Sequence, residues 1–143
     1  MFPGTSTTTT KNYAAAGSGV IYQMNRAEGE AFIITNYHVV YDASSNTDNG
    51  ISDDINVYLY GSEETGKAIS ATYVGGSLYY DIAVLHVSNS ELLKASDSCE
   101  AEIRDSDNIL VGDNAIAIGN AKGYGISASL GIVSVAAFYF SHN

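Results

Sequence analysis

Residues 31–40 read Ala31-Phe32-Ile33-Ile34-Thr35-Asn36-Tyr37-His38-Val39-Val40: an apolar run, Ala31 to Thr35, followed closely by an imidazole. Runs of this length, rich in β-branched and aromatic residues and bounded by turn formers, read as strands. The same signature recurs outward from it at Gly19 to Met24, Ile55 to Tyr60, Ile69 to Val74, Ile82 to Val87, Ala115 to Ile118 and Ile126 to Val135. Turn chemistry separates the runs. Asn25-Arg26-Ala27-Glu28-Gly29 suits a hairpin connection, Asn49-Gly50 and Gly61-Ser62 mark loops, and Gly75-Gly76 permits positive φ before the next run. Only Glu91 to Ala95 hints at a helix. The expected class is all-β and antiparallel, a barrel or sandwich, and the eleven tyrosines suit strand faces half in water.

The 143 residues suffice for one domain with a core of its own. Hydrophobic residues make up 45% and charged residues 15%, far from the signature of disorder, and no apolar run is long enough to span a membrane. The formal net charge of −10 repels a phosphate backbone, so nucleic acid is not an expected partner. A lone cysteine, Cys99, excludes an internal disulfide and a cysteine-based zinc site, and its acidic neighbourhood disfavours a thiolate. The opening Met1-Phe2-Pro3-Gly4 is not a signal peptide as it stands. Residues 1–13, with the polar run Thr5 to Thr10, read as a tether or leader.

Two stretches carry chemistry. His38 follows a strand, and Asp81 heads the apolar run Asp81-Ile82-Ala83-Val84-Leu85. Alone, each has an ordinary reading: a structural or surface histidine, and an aspartate ending a loop. The alternative is an imidazole acting as general base, with a carboxylate fixing its tautomer.

Four motifs in order tip the balance. Gly17-Ser18-Gly19-Val20-Ile21, Thr35-Asn36-Tyr37-His38-Val39-Val40, Asp81-Ile82-Ala83-Val84-Leu85, and Val111-Gly112-Asp113 through Ile118-Gly119-Asn120 with Gly131-Ile132-Val133-Ser134 together resemble trypsin-like serine proteases. The resemblance is to those of the chymotrypsin double-barrel fold, in particular the HtrA/DegP-type branch, and covers about residues 15 to 135. It implies a complete first barrel over 14–96, a linker over 97–113 and the first strands of a second barrel over 114–143. It also implies His38 as general base and Asp81 as its orienting partner, protein or peptide substrates, no cofactor, and a site outside the cytoplasm.

The departure from that family is the nucleophile. No Gly-x-Ser-Gly-Gly stretch occurs before the chain stops at Asn143, so the sequence carries His and Asp but no nucleophilic serine. Ser18 aligns with the opening strand, and Ser134 and Ser141 lack the glycine context. The chain is therefore expected to be a fragment without peptidase activity of its own. The competing reading is a non-catalytic pseudoprotease module that binds a peptide by strand addition or associates with itself.

Other residues take ordinary readings. His86 is expected to face solvent, opposite to Asp81, and His142 lies in the tail. Tyr79-Tyr80 is expected to pack across the barrel seam, with shielding of the His38–Asp81 contact as the alternative. Asp48, Asp53 and Asp54 lack calcium-loop spacing, and Gly119-Asn120-Ala121-Lys122-Gly123 lacks phosphate-loop spacing. No metal site is expected. Charge is uneven: positions 42–64 hold Asp42, Asp48, Asp53, Asp54, Glu63 and Glu64 without a Lys or Arg, whereas 114–143 hold only Lys122. Unless that nearly uncharged, apolar end folds back on the first barrel, it is expected to form a homo-oligomer through unpaired strands.

Overall fold

The computed structural model describes residues 15–47, 49–62, 66–120 and 125–136. β1 (Gly19–Asn25) and β2 (Glu30–Thr35) form the expected hairpin. Gly29 closes its turn at φ +65, where a Cβ would lie 2.6 Å from the carbonyl oxygen of Ser90, so only glycine fits. Next come a single helical turn, α1 (Tyr37–Val40), and the strands β3 (Ile55–Val57), β4 (Ile69–Ser77) and β5 (Ile82–Val87). The helix α2 (Glu91–Ala95) follows. All five strands pair antiparallel in the order β1-β2-β5-β4-β3. Among the described residues β1 and β3 remain edges of this sheet, so its hydrogen bonding is open rather than closed into a ring.

Register explains the core. Ala31 pairs with Val87 and Ile33 with Leu85, which puts alternate residues of β2 and β5 on one face with Ala83. Ile69 and Ala71 of β4 join them, and α1 and α2 add Tyr37, Val40 and Leu93. Two bulges keep the pattern in phase: an extra residue at Tyr22 lets both Ile21 and Met24 pack on the core, and another at Val74 precedes Gly75. Leu93 is only 1% exposed, held there by the Ser90 hydroxyl, which accepts from the Leu93 N–H at 3.1 Å and caps α2.

β6 (Asn114–Gly119) and β7 (Ser127–Ile132) form a separate two-stranded antiparallel sheet. In the stretch between α2 and β6, Ala101 N–H donates to Ile21 O at 2.8 Å and the Glu100 carboxylate accepts from Met24 N–H at 2.6 Å. Arg26 donates to the Ser98 carbonyl. That stretch thus occupies the outer edge of β1, which would otherwise offer unpaired backbone groups.

Three local expectations change. Gly75 and Gly76 lie inside β4 without positive φ; glycine is needed at Gly76 because β5 approaches it closely. The run expected to reach Tyr60 leaves the sheet after Val57. Tyr79 and Tyr80 are both largely exposed and stack edge to face on each other, 4.9 Å between centroids, instead of packing across the sheet.

Candidate active site

β2 and β5 lie side by side with Thr35 opposite Ala83, so the segment leaving β2 and the turn entering β5 emerge at the same end of the sheet. The first carries His38 on α1. The second is the turn Leu78–Asp81, closed by Asp81 N–H donating to Leu78 O at 3.3 Å. Asp81 ends it at φ +53, a left-handed conformation that aspartate tolerates better than most side chains.

The carboxylate of Asp81 grips His38 twice. Its Oδ1 accepts the His38 backbone N–H at 2.9 Å and its Oδ2 lies 2.7 Å from His38 Nδ1. Asn36 adds a third and fourth contact, donating from Nδ2 to Asp81 Oδ2 at 3.2 Å and to the Asp81 carbonyl at 3.1 Å. The His38 backbone N–H, then the His38 ring, hold the Asp81 carboxyl below the usual aspartate range. An ionised carboxylate only accepts, so Nδ1 carries a proton, and in the neutral ring Nε2 keeps its lone pair. Among the described residues nothing hydrogen-bonds Nε2, and the imidazole is 70% exposed. Such an arrangement suits an imidazole to proton transfer, with one ring nitrogen held by a carboxylate and the other open to a proton donor.

The two sequence-expected site residues therefore meet. Ser18 and Ser134 make no hydrogen bond to His38; Ser18 serves β2 through its carbonyl, which accepts from Thr35 Oγ1 at 2.8 Å. Ser141, His142, Asp48, Glu63, Glu64 and Lys122 lie outside the described residues. His86 does not simply face solvent: half-buried, it pairs with Glu30 at 2.8 Å and stacks on Phe32 at 4.7 Å. Cys99 is exposed and free. No group of three or more potential metal ligands converges among the described residues. Sequence alone assigns Asn36 no role beyond its place in the motif around His38, because nothing local points its side chain at a residue 45 positions away.

Comparison with known proteins follows the same outline. The model of the trypsin-like peptidase domain matches residues 17–138. The chain is 33% identical over 140 residues to the serine protease Do-like HtrA of Lactococcus lactis subsp. cremoris, spanning 94% of this chain and 30% of that protein. It is 36% identical to the Bacillus subtilis serine protease Do-like HtrA, over 85% of this chain and 23% of that one. To the Escherichia coli periplasmic pH-dependent serine endoprotease DegQ it is 34% identical, over 85% of this chain and 22% of that one. Among solved structures, an HtrA-type protease, AlgW, with a decapeptide, superposes with a TM-score of 0.55 at 32% identity, covering 81% of this chain and 28% of that one. The chain thus spans less than a third of the length of these relatives.

Proposed function

The chain belongs to the trypsin-like peptidase family, of HtrA type and chymotrypsin-like all-β fold, and on that premise we propose that it supplies the base half of a serine endopeptidase site. The Asp81–His38 contact of 2.7 Å, with Nε2 left free, is the observation that carries this reading. His38 Nε2 takes the proton from a serine Oγ as that oxygen attacks a peptide carbonyl, then returns it to the departing amine. Asp81 keeps Nδ1 protonated and stabilises the imidazolium formed between the two steps. On this reading residues 14–96 correspond to the family's first barrel, whose five-stranded sheet is open among the described residues, 97–113 to the linker and 114–143 to the start of the second barrel. Substrates are protein or peptide segments met outside the cytoplasm, a reading supported by the DegQ relative, which is named periplasmic.

The serine is not in these 143 residues, which contain no Gly-x-Ser-Gly-Gly stretch. In a protease where the triad has been dissected, loss of the nucleophile costs on the order of a million-fold in turnover. The purified chain is therefore expected to leave a fluorogenic peptide uncleaved. Turnover that His38→Ala abolishes would overturn this division of labour.

The reading of a self-associating module has its own observation. Ile116, Ile118, Leu130 and Ile132 share one face of the β6–β7 hairpin and are 65 to 74% exposed. Neither strand carries a charge, in a chain of net −10, so a second copy meets little like-charge repulsion on this face. A second copy is expected to cover it. Light scattering should then give at least a dimer mass that Leu130→Lys returns to monomer; a monomer at high concentration in the parent chain rejects the idea.

A further inference from the structure

Asn36 stands at the N-cap position of α1 with extended backbone, φ −79 and ψ 144, yet its side chain makes no capping hydrogen bond. A cap residue normally turns its side-chain oxygen back to the second or third N–H of its own helix. Here the His38 N–H is taken instead by Asp81 Oδ1, so α1 is capped from a turn far along the chain. That exchange frees the Asn36 amide, which faces Asp81 with its donor end. One amide reaches both the carboxylate Oδ2, at 3.2 Å, and the main-chain carbonyl of the same residue, at 3.1 Å.

From this geometry we infer that Asn36 is a positioning residue for the His38–Asp81 pair, fixing both the left-handed backbone of Asp81 and the direction in which its carboxylate points. The inference rests on the base-and-orienter reading proposed above. A left-handed non-glycine residue is costly to hold, and rotation about χ1 would carry Oδ2 away from Nδ1. The bond to the carbonyl opposes the first change and the bond to Oδ2 opposes the second, both from one side chain anchored directly after β2. Oδ2 is also the atom facing Nδ1, so Asn36 acts on the oxygen that selects the His38 tautomer. Its neighbours Thr35 and Tyr37 are engaged elsewhere: Thr35 Oγ1 donates to Ser18 O and the Tyr37 hydroxyl donates to Asn49 O at 2.9 Å. Neither can substitute for it.

The test is side-chain nitrogen NMR on the full 143-residue chain. The parent is expected to show His38 chiefly protonated at Nδ1, with a low-field Nδ1 proton. Asn36→Ala should reduce the ratio of Nδ1–H to Nε2–H tautomer about five- to tenfold, the weight of about one hydrogen bond. Asn36→Asp, equal in size but lacking the donor, should reduce it further by repelling Asp81. Asn36→Gln, which keeps the amide on a longer arm, should recover part of the loss, as a residue needed only for packing would not. Unchanged methyl signals of Val87 and Leu93 establish that the variants remain folded. Should they unfold, the parent alone decides: one Asn36 Nδ2 proton must exchange slowly with solvent, and two freely exchanging protons overturn the assignment. A parent without Nδ1–H preference defeats the base-and-orienter reading itself, whereas a parent with it and an unchanged Asn36→Ala ratio defeats only the role of Asn36.

Discussion

Asp81→Asn is expected to reverse the tautomer of His38 and abolish it as a base. The His38 backbone N–H at 2.9 Å must keep an acceptor, so the carboxamide oxygen takes the Oδ1 place and the amide nitrogen is turned toward the ring. Nδ1 must then accept rather than donate, and the proton moves to Nε2, the atom that has to receive one. The Asn36 amide, 3.2 Å from the same position, would face a second donor and adds to the disruption. In a form of the protein that also bears the nucleophile, kcat should fall about ten-thousand-fold, the loss known for this change in a serine protease. In the 143-residue chain the same event is read as a ring-nitrogen NMR spectrum changed from Nδ1–H to Nε2–H. Unaltered tautomers would remove Asp81 from the mechanism. The pH dependence has a definite sign. The Asp81 carboxyl is depressed on folding, so its stabilisation is present above the ordinary aspartate range and lost as pH falls through the lower folded value. The difference in melting temperature between parent and Asp81→Asn should accordingly shrink under acid.

Strand β5 was legible from end to end because Ile82 to Val87 is apolar at every position but His86, the continuous run of a strand paired on both sides, with Ala83, Leu85 and Val87 buried. The hairpin turn was legible because Gly29 needs positive φ. His38 and Asp81 could be named from motifs, but their meeting depends on β2 pairing with β5, a register between strands distant in sequence. What local pattern hid has a common physical cause. α1 interrupts a β-prone stretch because Tyr37 and Val40 find the core at helical, not strand, spacing. His86 faces the outer side of the sheet, yet Glu30 and Phe32 sit there on the paired strand and hold it half-buried. Tyr79 and Tyr80 look like core residues by type, but the turn that gives Asp81 its φ projects them outward.

Gly76→Ala and Gly75→Ala, one residue apart on β4, are expected to behave oppositely. A Cβ on Gly75 meets nothing within 4 Å, whereas one on Gly76 falls inside van der Waals contact with the Ile82 carbonyl oxygen and lies 3.0 Å from Ala83 Cα and 3.1 Å from the Tyr73 hydroxyl. The first two are backbone atoms of β5 and cannot turn aside as a side chain would. The bulge after Tyr73 brings the strands this close, and relief at Gly76 requires the start of β5 to move. Ile82 directly follows Asp81, so the carboxylate travels with it. Contacts of 2.7 and 2.9 Å do not survive a shift of about 1 Å, and misplacement of that order costs about a hundred-fold in rate where the site is complete. Gly76→Ala should therefore lose about 1–3 kcal/mol of stability to overpacking, measured by denaturant unfolding, together with the low-field Nδ1 proton of His38. Gly75→Ala should stay within about 0.5 kcal/mol of the parent and keep that proton. Equal losses in both variants would mean that the bulge, not the approach of β5 to Gly76, sets the geometry. A destabilised Gly76→Ala that retained the signal would show the Asp81 turn to be held from the α1 side alone, through Asn36 and the His38 N–H.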